Sequence, residues 1–344
     1  MTTTDPVLVS VRNHTGVLEL NRPQALNSLN PEMINIIRRA LESWREDPAI
    51  EQVLIHSASP KAFCAGGDVR HAREGIESGQ LEAVDEFFAT EYLTNGDIVE
   101  FPKPFIAVID GVAMGGGLGI SLHGSHRVVT ERAFAAMPEM NIGYVTDVGV
   151  AFAAQRMVGT RGVASPGLAK FWGLTGYRMY AADMLWTGVA THVVKDAGAF
   201  IDATLAHGID SAVAELALPA PAEPAPLAQV AHDLEETFAL PTWEEISAEL
   251  DKRPQIGGEV RRLMERACPA SVVAANALFE AEAQLEDIRE ALLLELKLGM
   301  HMYRRPDFAE GVRAVLVDKT HDAQFAPGTT AEVDPEEFRA VLKA

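Results

Sequence analysis

Apolar strand-like runs that alternate with helix-periodic segments predict an α/β fold, and two glycine-rich loops punctuate that alternation. The loops are Cys64-Ala65-Gly66-Gly67-Asp68 and Met114-Gly115-Gly116-Gly117-Leu118-Gly119. Each follows an apolar run and precedes a helix-like stretch. Without a Cβ, glycine lets a ligand approach the backbone and tolerates the φ values that turn neighbouring N–H groups toward one point. If the amides of Gly67 and Gly116 converge, they offer two donors to an oxygen that gains negative charge, the geometry of an oxyanion hole. The plain alternative for either loop alone is a tight βα turn without a ligand.

Val7 to Val11 and Val17 to Leu20 alternate as two strands joined through Asn13-His14-Thr15-Gly16, a hairpin. A helix then starts with Asn30 as N-cap and Pro31 at its first position. It carries Met33, Ile36, Ile37, Ala40, Leu41 and Trp44 at helical spacing and ends at Asp47-Pro48. The strand Val53-Leu54-Ile55 leads into the first glycine loop, followed by polar helical sequence to about residue 100. The pattern repeats with a buried-strand candidate at Phe105 to Ile109, the second loop at Gly111 to Gly119, a helix continuation at Ile120 to His123 and a strand at Arg127 to Thr130.

The proline-alanine run Leu218 to Pro226 fits neither a helix interior nor a central strand. It divides the chain into a core, 1–217, and a linker with a mostly helical C-terminal region, 218–344. There Leu285, Ile288, Arg289, Leu292, Leu293, Leu296 and Met300 lie near helical spacing and read as core or subunit interface; Pro306 marks a boundary before Phe308 to Val317.

The 344 residues are 48% hydrophobic and 23% charged, the composition of a globular protein with a sizeable core. A net charge of −20 argues against nucleic-acid or anionic-membrane partners, which need a basic footprint. Lys61, Arg70 and Arg73 beside the first loop could still meet phosphates, or could be ordinary surface charges. No long uncharged apolar stretch suggests a membrane span. The start Met1 to Pro6 lacks a basic or apolar leader, and two distant cysteines, Cys64 and Cys268, suit a reducing compartment. Together these favour a cytoplasmic location. His123-x-x-His126 is the one close histidine pair, and without further ligands nearby no metal is expected.

Further motifs complete the pattern: Asn21-Arg22-Pro23 with Ala25-Leu26-Asn27, Lys61-Ala62-Phe63 leading into the first loop, Met137-Pro138-Glu139, Ile142-Gly143, Thr146-Asp147-Val148-Gly149, and Asp307 to Lys319. Over most of its length the chain resembles the crotonase (enoyl-CoA hydratase/isomerase) superfamily. Glu91-Tyr92, Glu310-Gly311-Val312-Arg313-Ala314 and Asp318-Lys319 resemble its 3-hydroxyisobutyryl-CoA hydrolase branch. The glycine run itself is neither a dinucleotide fingerprint, since Leu122 stands where a third glycine is needed, nor a P-loop.

The resemblance implies a spiral of repeated β-β-α turns, with Gly67 and Gly116 holding the thioester carbonyl of an acyl-CoA. Hydratases of this kind use two glutamates. The first position is Gly119 here and the second is retained as Glu139, which favours thioester hydrolysis with Glu139 as general base or as nucleophile. Asp147 and Glu91 match further acidic positions, and Asp147 would bind the 3-hydroxyl or hold water. Carboxylates placed together should push at least one pKa upward. Backbone around Ala25, Ala65 and Asp68 would bind the CoA moiety, with Arg70 a candidate phosphate partner. No separate cofactor is implied, because CoA is part of the substrate. Two readings compete with hydrolysis: an enoyl-CoA hydratase or isomerase that works with Glu139 alone, and a silent acyl-CoA-binding subunit. A trimer or hexamer built through C-terminal helices is a family habit that the longer C-terminal region leaves open. Val145-Thr146, Val150-Ala151 and an apparent insertion around Thr160 to Lys170 depart from the branch pattern beside the expected acyl pocket.

Overall fold

The computed structural model describes residues 5–59, 61–219 and 224–343. The leader expectation at Met1 to Thr4 and residues 220–223 of the proline-alanine run lie outside them. Among the described residues ten strands form two sheets: β1 (Val7–Arg12), β2 (Thr15–Leu20), β3 (Gln52–Ser57), β4 (Ala62–Cys64), β5 (Phe105–Ile109), β6 (Val112–Met114), β7 (His126–Val129), β8 (Phe134–Ala136), β9 (Met179–Tyr180) and β10 (His192–Val193). The larger sheet has the order β1-β2-β3-β5-β7-β10 and the smaller β4-β6-β8-β9. Three successive strand pairs, β3/β4, β5/β6 and β7/β8, each give one strand to each sheet. Their pairings within each sheet are parallel. The chain therefore advances as a spiral of β-β-α turns, as expected.

Local sequence explains the elements. Asn13 and His14 both adopt positive φ, the two-residue turn that suits a twisted hairpin, so Thr15 and Gly16 belong to β2. Asn30 caps the Pro31–Arg45 helix by accepting from the Met33 N–H at 2.9 Å. That helix buries Met33, Ile34, Ile37, Ala40, Leu41 and Trp44.

Some expectations need correction. Strand β6 lies inside what reads as the second glycine loop and β4 runs into the start of the first, because three-residue strands leave no alternation to detect. Ile120 to His123 is a turn and no helix: the helix after β6 spans only Gly116–Gly119. The polar stretch before residue 100 is helical as expected, divided into two helices, Val69–Glu77 and Leu81–Val99. Along the C-terminal stripe Leu292 is buried but Leu293 is exposed, and Arg289 pairs with Asp97 and Glu100.

The C-terminal helices close over the spiral. Ile288–Tyr303 packs on Leu81–Val99, Pro269–Glu282 packs on Pro166–Thr175, and Pro306–Val312 covers the turn that begins at Glu139. No helix among the described residues is long and apolar enough to cross a membrane.

Candidate functional site

The two glycine loops meet. Leu29 bridges to the first loop by donating to Gly66 O at 2.8 Å and accepting from the Asp68 N–H at 2.7 Å, so the N–H of the residue between, Gly67, turns the other way. In the second loop the Leu118 and Gly119 N–H groups both donate to Gly115 O, leaving the Gly116 N–H as a helix-start orphan. Among the described residues neither the Gly67 nor the Gly116 N–H has an acceptor in the chain. The loops are so close that a Cβ on Gly116 would stand 3.2 Å from Gly67 N and would collide with Glu91 Oε1. A side chain at 116 would have to push the Glu91 carboxyl out of its place.

Three carboxyl groups surround this point. Glu91 projects from the Leu81–Val99 helix, Glu139 opens a short 3-10 turn after β8, and Asp147 lies in the loop before the Val150–Ala154 helix; all three are buried. A Cβ on Gly67 would lie 3.7 Å from Glu91 Oε2, and one on Gly115 only 2.6 Å from Glu139 Oε1, so both glutamates reach the loops. Glu91 Oε1 and Glu139 Oε2 have no hydrogen-bond partner among the described residues. Asp147 Oδ2 accepts from the Tyr92 hydroxyl at 2.7 Å, and that hydroxyl lies 3.0 Å from the Tyr144 hydroxyl.

Burial dominates the electrostatics. It pushes Glu91 up to about 8, with the Asp147 charge adding to the effect. It pushes Asp147 up to about 7 against the opposing hydrogen bonds from Tyr92 and the backbone. It also holds Glu139 well above the ordinary carboxylate range, reinforced by Asp147 and Glu91. Near neutral pH the trio therefore retains protons, and can present both a base and a hydrogen-bond-donating acid.

The outer positions fall around the first loop. The Ala65 N–H donates to Leu26 O, which ties the half-buried Ala65 to the turn after Ala25. Asn27 holds that turn from inside, donating to Ser57 Oγ and Phe63 O while accepting from the Arg22 N–H. Asp68 caps the Val69–Glu77 helix and pairs with Arg22 at 2.8 Å. Arg70 and Lys61 are exposed, whereas Arg73 is engaged by Glu77 and Ala309 O. His123 and His126 go to different partners, the former to Val148 O and the latter to a stack on His192. Among the described residues no group of three His, Cys, Asp or Glu side chains could hold a metal. Burial pushes the Cys64 thiol up to about 12, which makes it an inert core group.

A family model described as enoyl-CoA hydratase/isomerase matches residues 15–342. The chain belongs to the enoyl-CoA hydratase/isomerase family. Among curated members of this family it is 33% identical to the mitochondrial 3-hydroxyisobutyryl-CoA hydrolase of Rattus norvegicus, over 100% of this chain and 90% of that protein. It is 32% identical to the Homo sapiens protein of the same name, over 99% and 89%. Of solved structures in the family, a carnitinyl-CoA dehydratase from Mycobacterium thermoresistibile superposes with a TM-score of 0.90 at 32% identity, covering 98% of this chain and 96% of that one. An enoyl-CoA hydratase from Rhodobacter sphaeroides gives 0.87 at 32% identity, covering 98% and 97%. The chain is thus an enzyme of the enoyl-CoA hydratase/isomerase family, and an acyl-CoA substrate is consistent with that family.

Within this family frame Gly119 has no room for a glutamate. A Cβ there would stand 2.8 Å from Val148 Cβ and 2.9 Å from Asn95 Nδ2. Thr146, one of the departures from the branch pattern, donates to Gly173 O and so joins the Asp147 loop to the Pro166–Thr175 helix. Sequence reading missed Tyr144, whose hydroxyl completes the chain to Asp147. It also missed Glu282 and Glu295, fully buried behind that loop. A glutamate inside an otherwise apolar helix face was the available signal.

Proposed function

We propose that this enzyme hydrolyses a short, branched 3-hydroxyacyl-CoA thioester, with 3-hydroxyisobutyryl-CoA as the substrate of choice, in the manner of valine breakdown. The observation that carries this reading is the pair of unsatisfied amides, Gly67 and Gly116, with buried carboxyls around it and Gly in place of a hydratase glutamate at 119.

The thioester carbonyl oxygen accepts from the Gly67 and Gly116 N–H groups, which stabilise it as it becomes an oxyanion; one such donor is worth roughly 10²–10³ in rate. In the base route, ionised Glu139 takes a proton from water as the water oxygen attacks the carbonyl carbon. The tetrahedral intermediate then collapses and expels the CoA thiolate, which recovers the proton. In the nucleophile route Glu139 attacks directly, CoA leaves, and water cleaves the mixed anhydride. A thiolate is a good leaving group, so neither route needs a strong acid. Asp147, oriented by Tyr92, and Glu91 bind the 3-hydroxyl or the water. The backbone at Ala25, Ala65 and Asp68 holds CoA, with Arg70 toward its phosphates.

A second reading is favoured by the names of the superposing structures: hydration or isomerisation with Glu139. Product chemistry separates the two, because hydrolysis frees a thiol and hydration only removes the conjugated thioester. Thiol release from 3-hydroxyisobutyryl-CoA, measured beside loss of conjugation in crotonyl-CoA, supports the proposal if only the first proceeds and defeats it if only the second does. Buried, unpaired Cys64 and Cys268 accord with a reducing compartment, and a cytoplasmic location is part of the proposal.

A further inference from the structure

The loop that carries Asp147 adopts an unfavourable backbone. Val148 sits at φ 55°, the left-handed region that a β-branched residue avoids, and Gly149 follows at φ 75°. Something must hold it there. The Val148 carbonyl and the Gly149 N–H belong to one planar peptide unit. Its carbonyl meets His123 Nε2 at 2.7 Å, and its N–H donates to Glu295 Oε2 at 2.7 Å. His123 also packs against Gly149, since a Cβ there would stand 2.8 Å from the imidazole Cε1. Both contacts are lost if the peptide rotates.

Glu295 comes from the Ile288–Tyr303 helix and faces Glu282, the last residue of the Pro269–Glu282 helix; neither side chain reaches solvent. With both ionised, Glu295 Oε1 and both Glu282 oxygens would lack any donor. One shared proton pairs two of these three oxygens: Glu295 protonated at Oε1 donates to one Glu282 oxygen and accepts from Gly149 with Oε2. Burial lifts both carboxyls well above the ordinary range; the Glu295 hydrogen bond and the Arg156 guanidinium oppose this at Glu282, whereas the Glu282 and Asp147 charges add to it at Glu295, so the shared proton belongs on Glu295. Burial lowers His123 to about 4, assisted by Arg127, so the ring is neutral and its Nε2–H donates to the Val148 carbonyl.

We infer that Glu295, supported by Glu282, is a positioning residue: it clamps the Val148–Gly149 peptide from the C-terminal region and thereby aims Asp147 at the acyl group. The inference rests on the hydrolase reading for Asp147's task. A glutamine reproduces protonated Glu295, donating through Nε2 and accepting through Oε1, whereas a leucine leaves the Gly149 N–H buried and unpaired.

The test is a double-mutant cycle in thiol release. Glu295→Gln is expected to stay within about 3-fold of wild type, and Glu295→Leu to lose roughly 10- to 100-fold in kcat/KM for 3-hydroxyisobutyryl-CoA, the scale of a small misplacement. The loss should be smaller for isobutyryl-CoA, which lacks the hydroxyl, and should vanish when Asp147 is already alanine. Equal losses on both esters, or the same loss in the Asp147→Ala background, would overturn the inference, as would a Glu295→Gln enzyme as impaired as the leucine variant. If Glu295→Leu does not fold, slow exchange of the Gly149 amide in wild type and Glu295→Gln supports the clamp and fast exchange overturns it. If wild type releases no thiol at all, the hydrolase reading fails on its own. The clamp is then judged by hydrogen exchange at the Gly149 amide, slow in wild type and Glu295→Gln if it holds and fast in both if it does not.

Discussion

Glu91→Gln should make the protein more stable as the pH rises. Burial lifts the Glu91 carboxyl from 4.5 to about 8, so the folded state holds a proton that the unfolded chain releases. Below about pH 4 both states are protonated and the group contributes nothing to pH dependence. Between the two pKa values the unfolded state gains, and above the higher value the folded state bears the whole cost of a buried charge. At 1.36 kcal/mol per pH unit, the wild-type penalty grows to about 3 kcal/mol at pH 7 and roughly 5 kcal/mol at alkaline pH. Glu139 and Asp147 share the trio's charge, so removing one member recovers about half of this. Urea unfolding of both proteins at pH 5, 6, 7 and 8 reads the difference directly. We expect the advantage of Glu91→Gln over wild type to grow by about 2 kcal/mol between pH 5 and pH 8. Parallel stability curves would refute the reasoning, since they would mean that Glu91 ionises as freely in the fold as in water.

Gly116→Ala should abolish turnover, by roughly 10²-fold or more, because its methyl group collides with Glu91 in the oxyanion hole; steady-state thiol release checks it. Tyr92→Phe removes a hydrogen bond that lowers the Asp147 pKa, so Asp147 should titrate higher and any limb it governs in the pH–rate profile should move to higher pH. After a single turnover in ¹⁸O-labelled water, label in the Glu139 carboxyl, read by mass spectrometry of the active-site peptide, is expected for the nucleophile route when water attacks the Glu139 carbonyl of the anhydride, whereas the base route places label in the acid product alone. Arg70→Ala should weaken CoA binding about 3- to 10-fold by calorimetry, the scale of one exposed charge contact; unchanged affinity would remove Arg70 from the site.

Much of the fold is legible because its signals are local. The Asn30-Pro31 helix start, the apolar strand Phe105–Ile109 and the hairpin turn each declare themselves within a few residues. Strands β4 and β6 do not, since their structure comes from pairing with each other across some 50 residues and not from any alternation of their own. The same division runs through the site. Gly67, Gly116 and Glu139 lie in recognisable spacings, whereas the Tyr92–Tyr144 contact to Asp147 and the Glu295 contact to Gly149 join residues far apart in sequence. Only folding shows what those side chains face. Gly119 illustrates the opposite case. Sequence comparison notes the missing carboxylate, and the packing of Val148 and Asn95 against it shows that no longer side chain would fit.

In the proposed mechanism Glu139 drives thioester cleavage beside the two glycine amides. Its most direct test is the rate of CoA release from 3-hydroxyisobutyryl-CoA, monitored with a thiol reagent for wild type and Glu139→Gln at equal folded concentration. Steady release by wild type is expected, with a fall of roughly 10²–10⁴-fold in the variant, the usual contribution of a positioned base. Release that persists undiminished in Glu139→Gln would contradict it.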